Sequence, residues 1–277
     1  MRFKCAIQPF AIVAILGMAF LQANCAATGR PPRAATNGAP TLSVATFNVN
    51  LGLAGDPETM AAIRGTGADV VFLQEVTPAW ELGIRTTMRD DFPHMGFRHC
   101  CRAGGLAVLS RFPFEDDGTC YISAPTGWFP GWRVEVDSPL GPVQVLQVHL
   151  HPPVSESGSW GSGYFTTDDE RLTEIEHFVT ALKPDMPTMV LGDFNEENGE
   201  ASAFLRKRGF VDAVAEFNPG KETWRWPTSL IDLEFSLDHI FYDQRLEPLR
   251  SDILELGRSD HFPIRAIFEL APQGANT

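Results

Sequence analysis

The sequence predicts an α/β domain in which helices cover mixed β-sheets. Three observations carry this reading. Short runs rich in Val, Ile, Phe and Thr alternate along the chain with stretches whose apolar residues recur at helical spacing. The runs ADVVFLQEV (68–76) and PTMVLGDFN (187–195) are almost continuously apolar, as in strands covered on both faces. The 277 residues are 44% hydrophobic and 21% charged, enough for a large core without metal or disulfide staples.

Taken in order, TLSVATFNVN (41–50) reads as a strand. DPETMAAIRGTG follows as a helix, with Asp56 able to cap it and Pro57 suited to the first turn. Gly65 and Gly67 stop it. After the strand at 68–76, Thr77 and Pro78 repeat the device, and Trp80, Ile84 and Met88 share one helical face, read as core packing. The middle is richer in strand: 104–114, 131–138 and 142–153, the last two joined as a hairpin by a Pro/Gly turn. TDDERLTEIEHFVTAL (167–182) is amphipathic, with Leu172, Ile175, Phe178, Val179 and Leu182 facing inward. The strand at 187–195 and a short helix ended by Gly209 come next. SLDHIFYD and DHFPIRAIFEL close the chain as strands. Composition alone does not separate this order from other α/β folds.

The first residues belong to no domain. Arg2 and Lys4, an apolar run from about Ala11 to Leu21, and small residues up to Ala27 have the layout of a secretory signal peptide (1–27). The run falls short of the roughly 20 residues a membrane span needs. Cys25 raises a lipoprotein alternative, although Gln22-Ala23-Asn24 makes a poor lipobox; an uncleaved anchor is a third. Residues 28–40 read as a flexible linker, 41–271 as the domain and 272–277 as a tail. A secreted or periplasmic location follows, with a monomer as the expected state.

Net charge is −13, from 22 Lys and Arg against 35 Asp and Glu. Phosphate contacts need cations, so a stable nucleic-acid complex is not expected. Cys100, Cys101 and Cys120 show no zinc spacing and read as structural. Cys120 can pair with Cys100 or Cys101; a bridge between the adjacent pair would be strained and is the less favoured.

Polar residues end or interrupt the apolar strands: Asn48, Glu75, His149, Asp193, Asn195, Asp238, His239, Asp260 and His261. In open α/β sheets, ligands bind outside strand ends. Each residue also has a plainer explanation. Asn48 could bend the chain, His149 could be a satisfied core histidine, and Asp193 with Asn195 could form a turn. Glu75 is harder to explain away, because it ends a buried run and a buried carboxylate is costly unless paired or metal-bound. His151 reads as support for the site, and Glu196 and Glu197 as solvated loop residues.

The ordered set TFNVN, LQEV, GLAVLSRFP, VHL, GDFN, LDHIF and SDHFPI resembles the endonuclease/exonuclease/phosphatase superfamily, the DNase I-like metal-dependent phosphoesterases, over about residues 42 to 270. The resemblance implies a four-layered α/β sandwich, two mixed sheets packed face to face with helices outside. It implies Mg²⁺ or Mn²⁺, hard cations that take oxygen ligands, on Glu75, Asn48 and Asp260. It further implies Asp193 as the base that activates water or a partner holding it, Asn195 and His149 as phosphate contacts, and His261 to bind or protonate the phosphate with Asp238 orienting its ring. His239 should face the opposite side of its strand.

The substrate is less legible. The expected partner is a phosphoester: a nucleotide, a nucleic acid or a lipid headgroup. A nuclease or a sphingomyelinase-type phospholipase are the alternative activities, and a catalytically silent binding protein on the same fold the alternative class. Aromatic-rich loops at 124–132, 152–165 and 218–232 hold Trp128, Trp132, Trp160, Trp224 and Trp226. Such side chains stack on bases, rest on lipid or simply anchor loops. Arg225 and Lys221 offer phosphate contacts.

Overall fold

The computed structural model describes residues 28–116, 121–126, 128–153, 167–227 and 232–272. Its fifteen strands are β1 (Leu42–Asn48), β2 (Val70–Gln74), β3 (His94–Arg98), β4 (Leu106–Ser110), β5 (Phe114–Glu115), β6 (Tyr121–Ile122), β7 (Gly131–Ser138), β8 (Gly141–His149), β9 (Thr188–Asp193), β10 (Val211–Asp212), β11 (Trp224–Pro227), β12 (Asp232–Phe235), β13 (Asp238–Tyr242), β14 (Leu246–Ile253) and β15 (Ile264–Leu270). Its helices are α1 (Pro57–Gly65), α2 (Pro78–Thr87), α3 (Asp168–Phe178), α4 (Glu200–Lys207) and α5 (Ala213–Phe217).

Two mixed sheets carry the fold. One runs β14-β15-β1-β2-β4-β3; the other runs β10-β13-β9-β8-β7-β5, with β6 also on β7. Side chains from both sheets meet in one core, among them Leu42 and Val44 of β1, Val70 and Phe72 of β2, Val143 and Val145 of β8, Met189 and Leu191 of β9, and Ile240 of β13. The outer face of the first sheet packs on α1 and α2 through Ile63, Trp80 and Ile84. The outer face of the second packs on α3 and α4 through Ile175, Phe178 and Leu205. The result is the expected four-layered sandwich. Fully burying side chains of this size contributes about 1.5–3 kcal/mol each, so these three clusters dominate the fold's stability.

Local chemistry sets the helix starts. Asp56 accepts from the Thr59 amide at 2.8 Å and Thr77 from the Trp80 amide at 3.4 Å, each ahead of a proline in the first turn. Caps of this kind are worth about 1 kcal/mol. Gly192 has a different task. Its φ is 141°, and a Cβ there would lie 1.9 Å from the Val148 carbonyl oxygen, so only glycine lets β8 and β9 pair beside the residue that follows.

Three sequence expectations change. Residues 28–40 are held against the domain: Arg30 pairs with Glu216 and Glu247, Arg33 with Glu269, and Thr36 hydrogen-bonds Glu269. Proline and glycine content suggested a flexible linker, but three acids on the domain's surface fix its cations. Cys100 is joined to Cys101; Cys120 lies outside the described residues, as do 1–27 and Trp160. Strands β3, β14 and the β11–β12 hairpin had no periodic signal; β14 carries Pro248 and shifts register beside it. Among the described residues no helix is long and apolar enough to cross a membrane.

Gly192→Ala is expected to destabilise the domain by roughly 3 kcal/mol or more, since backbone rather than a flexible side chain blocks the new methyl. Urea unfolding checks this; a wild-type midpoint would show that β8 and β9 can separate at no cost.

Candidate active site

Side chains alternate across a strand, so the inward face of each strand can be followed to its end. On β1 it reads Leu42, Val44, Thr46, Asn48; on β9, Met189, Leu191, Asp193; on β8, Val143, Val145, Gln147, His149; on β13, Tyr242, Ile240, Asp238. All four rows turn from apolar to polar at the same end. Register then places the polar residues side by side: His149 is opposite Asp193 across β8–β9, and Asp238 opposite Asp193 across β13–β9. On the facing sheet Asn48 lies opposite Gln74, and Glu75 follows β2 directly. Gln147 ties the sheets together just behind the site, donating to the Leu73 carbonyl at 2.7 Å.

The site is one connected network. The Asn48 amide donates to Glu75 Oε1 at 3.1 Å and to Asp193 Oδ2 at 3.0 Å, spanning the two sheets. The Leu51 amide donates to Glu75 Oε2 at 2.9 Å. His149 Nε2 and His261 Nε2 lie 3.6 and 3.5 Å from Asp193 Oδ2. His261 Nδ1 is 2.9 Å from Asp238 Oδ2, which also accepts from Thr223 Oγ1 at 2.7 Å. Asn195 donates its backbone amide to Asp193 Oδ1 at 2.9 Å and its side chain to the Leu150 carbonyl at 3.0 Å. Asp260 accepts from Asn50 at 3.0 Å and from the Trp224 indole at 2.9 Å. Glu75, Asn50 and Asn195 have φ values of 62°, 60° and 52°, a left-handed conformation uncommon for residues other than glycine and enriched where side chains are aimed at a function.

Burial sets the protonation states. It raises the Asp193 carboxyl, against the pull of His261 and His149. It lowers His149 from 6.5 to about 4, leaving a neutral ring at neutral pH. Burial also opposes charge on His261, but Asp238 and Asp193 outweigh it and raise the ring to about 10. A buried ion pair roughly breaks even against apolar residues of the same volume. Stability therefore does not account for packing these groups at the end of an apolar core; a task at the cavity floor does.

The network floors a cavity of about 1020 Å³ lined in part by Asn48, Glu75, His149, Asp193, Asn195, Asp260 and His261. Seven of the expected site residues thus converge on one space, and Asp238 supports it from behind. Arg225 does not join them. It pairs with Glu222 at 2.9 Å and Glu234 at 2.8 Å and is absent from the cavity lining; Arg102 lines it instead. Glu196 is not a solvated loop residue but is buried, accepting from the Ser202 amide at 2.7 Å and pairing with buried Arg171 at 3.2 Å. His239 faces away as expected, against Phe194 and Phe241, and is lifted to about 9 by Asp212 despite the cost of burial. Sequence reading missed Thr223, Asn50 and Arg102. Thr223 and Asn50 act through hydrogen bonds, which leave no trace in hydropathy.

Glu75 and Asp260 offer carboxylate oxygens, a donor set that suits a hard divalent cation and not zinc, and Asn48, whose oxygen here accepts from the Asn50 amide at 3.1 Å, would add an amide oxygen on turning its side chain over. Among the described residues, Asp193, Asp238 and His261 also have ligand-type atoms within 4.8 Å of one another. His261 bonds Asp238 through Nδ1 at 2.9 Å, its Nε2 lies 3.5 Å from Asp193, and a ring raised to about 10 holds protons on both nitrogens and offers no lone pair to a metal. The oxygen set suits the cation better.

The sequence profile of the endonuclease/exonuclease/phosphatase family matches residues 45–261, and the chain belongs to that family. Its members hydrolyse phosphoester bonds. No curated protein matches this sequence. Among solved structures, an endonuclease/exonuclease/phosphatase from Beutenbergia cavernae DSM 12333 is similar at 20% identity, covering 84% of this chain and 72% of that one with a TM-score of 0.66. TDP2 of D. rerio, complexed with a single-strand DNA product, aligns at 17% identity over 83% of this chain and 99% of its own, TM-score 0.62. ANGEL2, a 2′,3′-cyclic phosphatase in complex with adenosine-2′,3′-vanadate, aligns at 16% over 84% and 96%, TM-score 0.61.

One group at the cavity's shoulder titrates near neutrality. Burial pushes Glu174 from 4.5 up to about 7, while Thr126 and the His151 amide, at 2.7 Å, hydrogen-bond its carboxyl. A folded value above the unfolded one means a contribution fully present below about pH 4.5 and lost as pH rises through 7. Glu174→Gln is therefore expected to gain stability relative to wild type across that window. A wild-type-to-variant difference constant from pH 4.5 to 8 in chemical denaturation would contradict it.

Proposed function

We propose that this chain is an exported phosphoesterase, dependent on Mg²⁺ or Mn²⁺, that hydrolyses a phosphodiester or phosphomonoester by attack of water. The observation that carries the reading is the Asp193 carboxylate, held by Asn48 between two imidazoles on the floor of an open cavity. A carboxyl raised by burial is a better proton acceptor, so Asp193 takes the proton of the attacking water. His261, its ring fixed through Nδ1 by Asp238, donates from Nε2 to a phosphoryl oxygen. Neutral His149 and the Asn195 amide orient the remaining oxygens. Glu75, Asp260 and the Asn48 amide oxygen would hold the cation, whose chemistry is to neutralise charge building on the phosphoryl group. Export rests on the layout of residues 1–27 alone, with a secreted or periplasmic domain following it.

Glu75→Ala, Asp193→Ala and His261→Ala are each expected to lower turnover of bis-p-nitrophenyl phosphate by roughly 10²–10⁴-fold in proteins that remain folded by circular dichroism at the assay temperature. Unchanged turnover in all three would defeat the assignment. EDTA should abolish activity and added Mg²⁺ or Mn²⁺ restore it; full activity in chelator would contradict the cation's part.

A further inference from the structure

The upper walls of the cavity differ from its floor. Trp128, Phe129, Trp224, Trp226, Leu51 and Leu233 form much of them. Seven large apolar side chains are exposed among the described residues, and three of these, Leu51 at 43%, Trp128 at 42% and Trp226 at 51%, stand on this one rim. Exposed apolar surface gathered in a concavity marks a ligand site. The two hairpin tryptophans lie nearly parallel, 12° between planes and 6.4 Å between centroids, and Trp224 is fixed by its indole bond to Asp260. Exposed Trp226 and buried Trp224 thus set parallel rings into the cavity wall beside Asp260.

Cations are scarce on the same walls. Among the described residues Arg102 is the one Lys or Arg lining the cavity; it is exposed and has no hydrogen bond or ion pair with any of them. Arg225 is neutralised by two glutamates. The chain as a whole carries −13. A polynucleotide needs a track of cations along its backbone, and a strongly acidic protein repels it. A membrane surface is also disfavoured, since these tryptophans wall a concavity in an acidic protein.

We propose that the site takes a monomeric phosphoester with a single phosphate and one flat ring system, of which a mononucleotide ester is the type. The ring stacks on the Trp224–Trp226 face and Arg102 contacts the phosphate. This rests on the phosphoesterase reading above and narrows its substrate class.

Equilibrium binding without turnover tests it. Adenosine 5′-monophosphate, ribose 5-phosphate and a single-stranded 12-mer oligonucleotide would be titrated by calorimetry, with Mg²⁺ present, into the full protein carrying Asp193→Asn, in which no ligand is hydrolysed. Expected is binding of the mononucleotide about 10–100-fold tighter than ribose 5-phosphate, the range one stacked base supplies. Trp226→Ala should remove most of that margin, and Arg102→Ala should weaken both phosphates while Arg102→Lys largely restores them. The oligonucleotide should bind no tighter than the mononucleotide, with a log–log salt slope of about one phosphate contact. Ribose 5-phosphate binding as well as the mononucleotide would overturn the proposal. So would an oligonucleotide preferred with a slope of several contacts, or capture by sphingomyelin vesicles that Trp226→Ala abolishes. Loss of turnover in the floor variants is read separately on bis-p-nitrophenyl phosphate, so either conclusion can fail alone.

Discussion

The rest of this structure depends on how two β-sheets close on each other. For most of their length they meet through Val, Leu, Ile and Phe, and closure is driven by burial of apolar surface. At one end the inward rows carry Asn48, His149, Asp193 and Asp238 instead. These groups are as buried as the core behind them; Asn48, Asp193 and Asp238 bond their neighbours, while His149 Nδ1 and Asp238 Oδ1 have no hydrogen-bond partner among the described residues. The Asn48 amide makes the critical joint, since it bonds a carboxylate on each sheet. The sandwich thus brings residues from distant parts of the chain into one small space as a direct consequence of its closure, with no flexible loop required.

Loops supply what the strand ends cannot. The β11–β12 hairpin is stitched to the segment bearing Asp260 and His261: the Arg225 amide donates to the Asp260 carbonyl at 2.8 Å and the Phe262 amide to the Thr223 carbonyl at 2.7 Å. That seam positions Thr223 behind Asp238 and Trp224 beside Asp260. On the other shoulder, buried Arg171 and Glu174 of α3 hold the loop after Asn195 and the His151 segment. Each wall of the cavity therefore has its own buried polar anchor, and wall and floor can differ in character: acidic and histidine-rich below, aromatic above.

Much of this was legible in the sequence, for a physical reason. A buried strand must be apolar, so a carboxylate or amide at its end stands out, and Asn48, Glu75, His149, Asp193 and Asp238 were found in that way. The ordered motifs then linked them to Asp260 and His261. Arg225 was misjudged because sequence shows a cation near the motifs but not the Glu222 and Glu234 that neutralise it. Arg102 was missed for the converse reason: nothing in its neighbours marks a free cation. Glu196 read as loop because a buried ion pair between residues 171 and 196 has no local signature. The packing of residues 28–40 was likewise a tertiary outcome, whereas the pairing of adjacent Cys100 and Cys101 turns on local backbone geometry that composition does not report.

In the proposed function Glu75 and Asp260 form the cation side of the floor, and Asp193 with His261 the proton-handling side. Anomalous diffraction at the manganese edge from crystals soaked in Mn²⁺ tests it most directly. One strong peak is expected, in contact with the Glu75 carboxylate and on the Asp260 side of the cavity. A peak held by His261 and Asp238, with Glu75 free of metal, would contradict it.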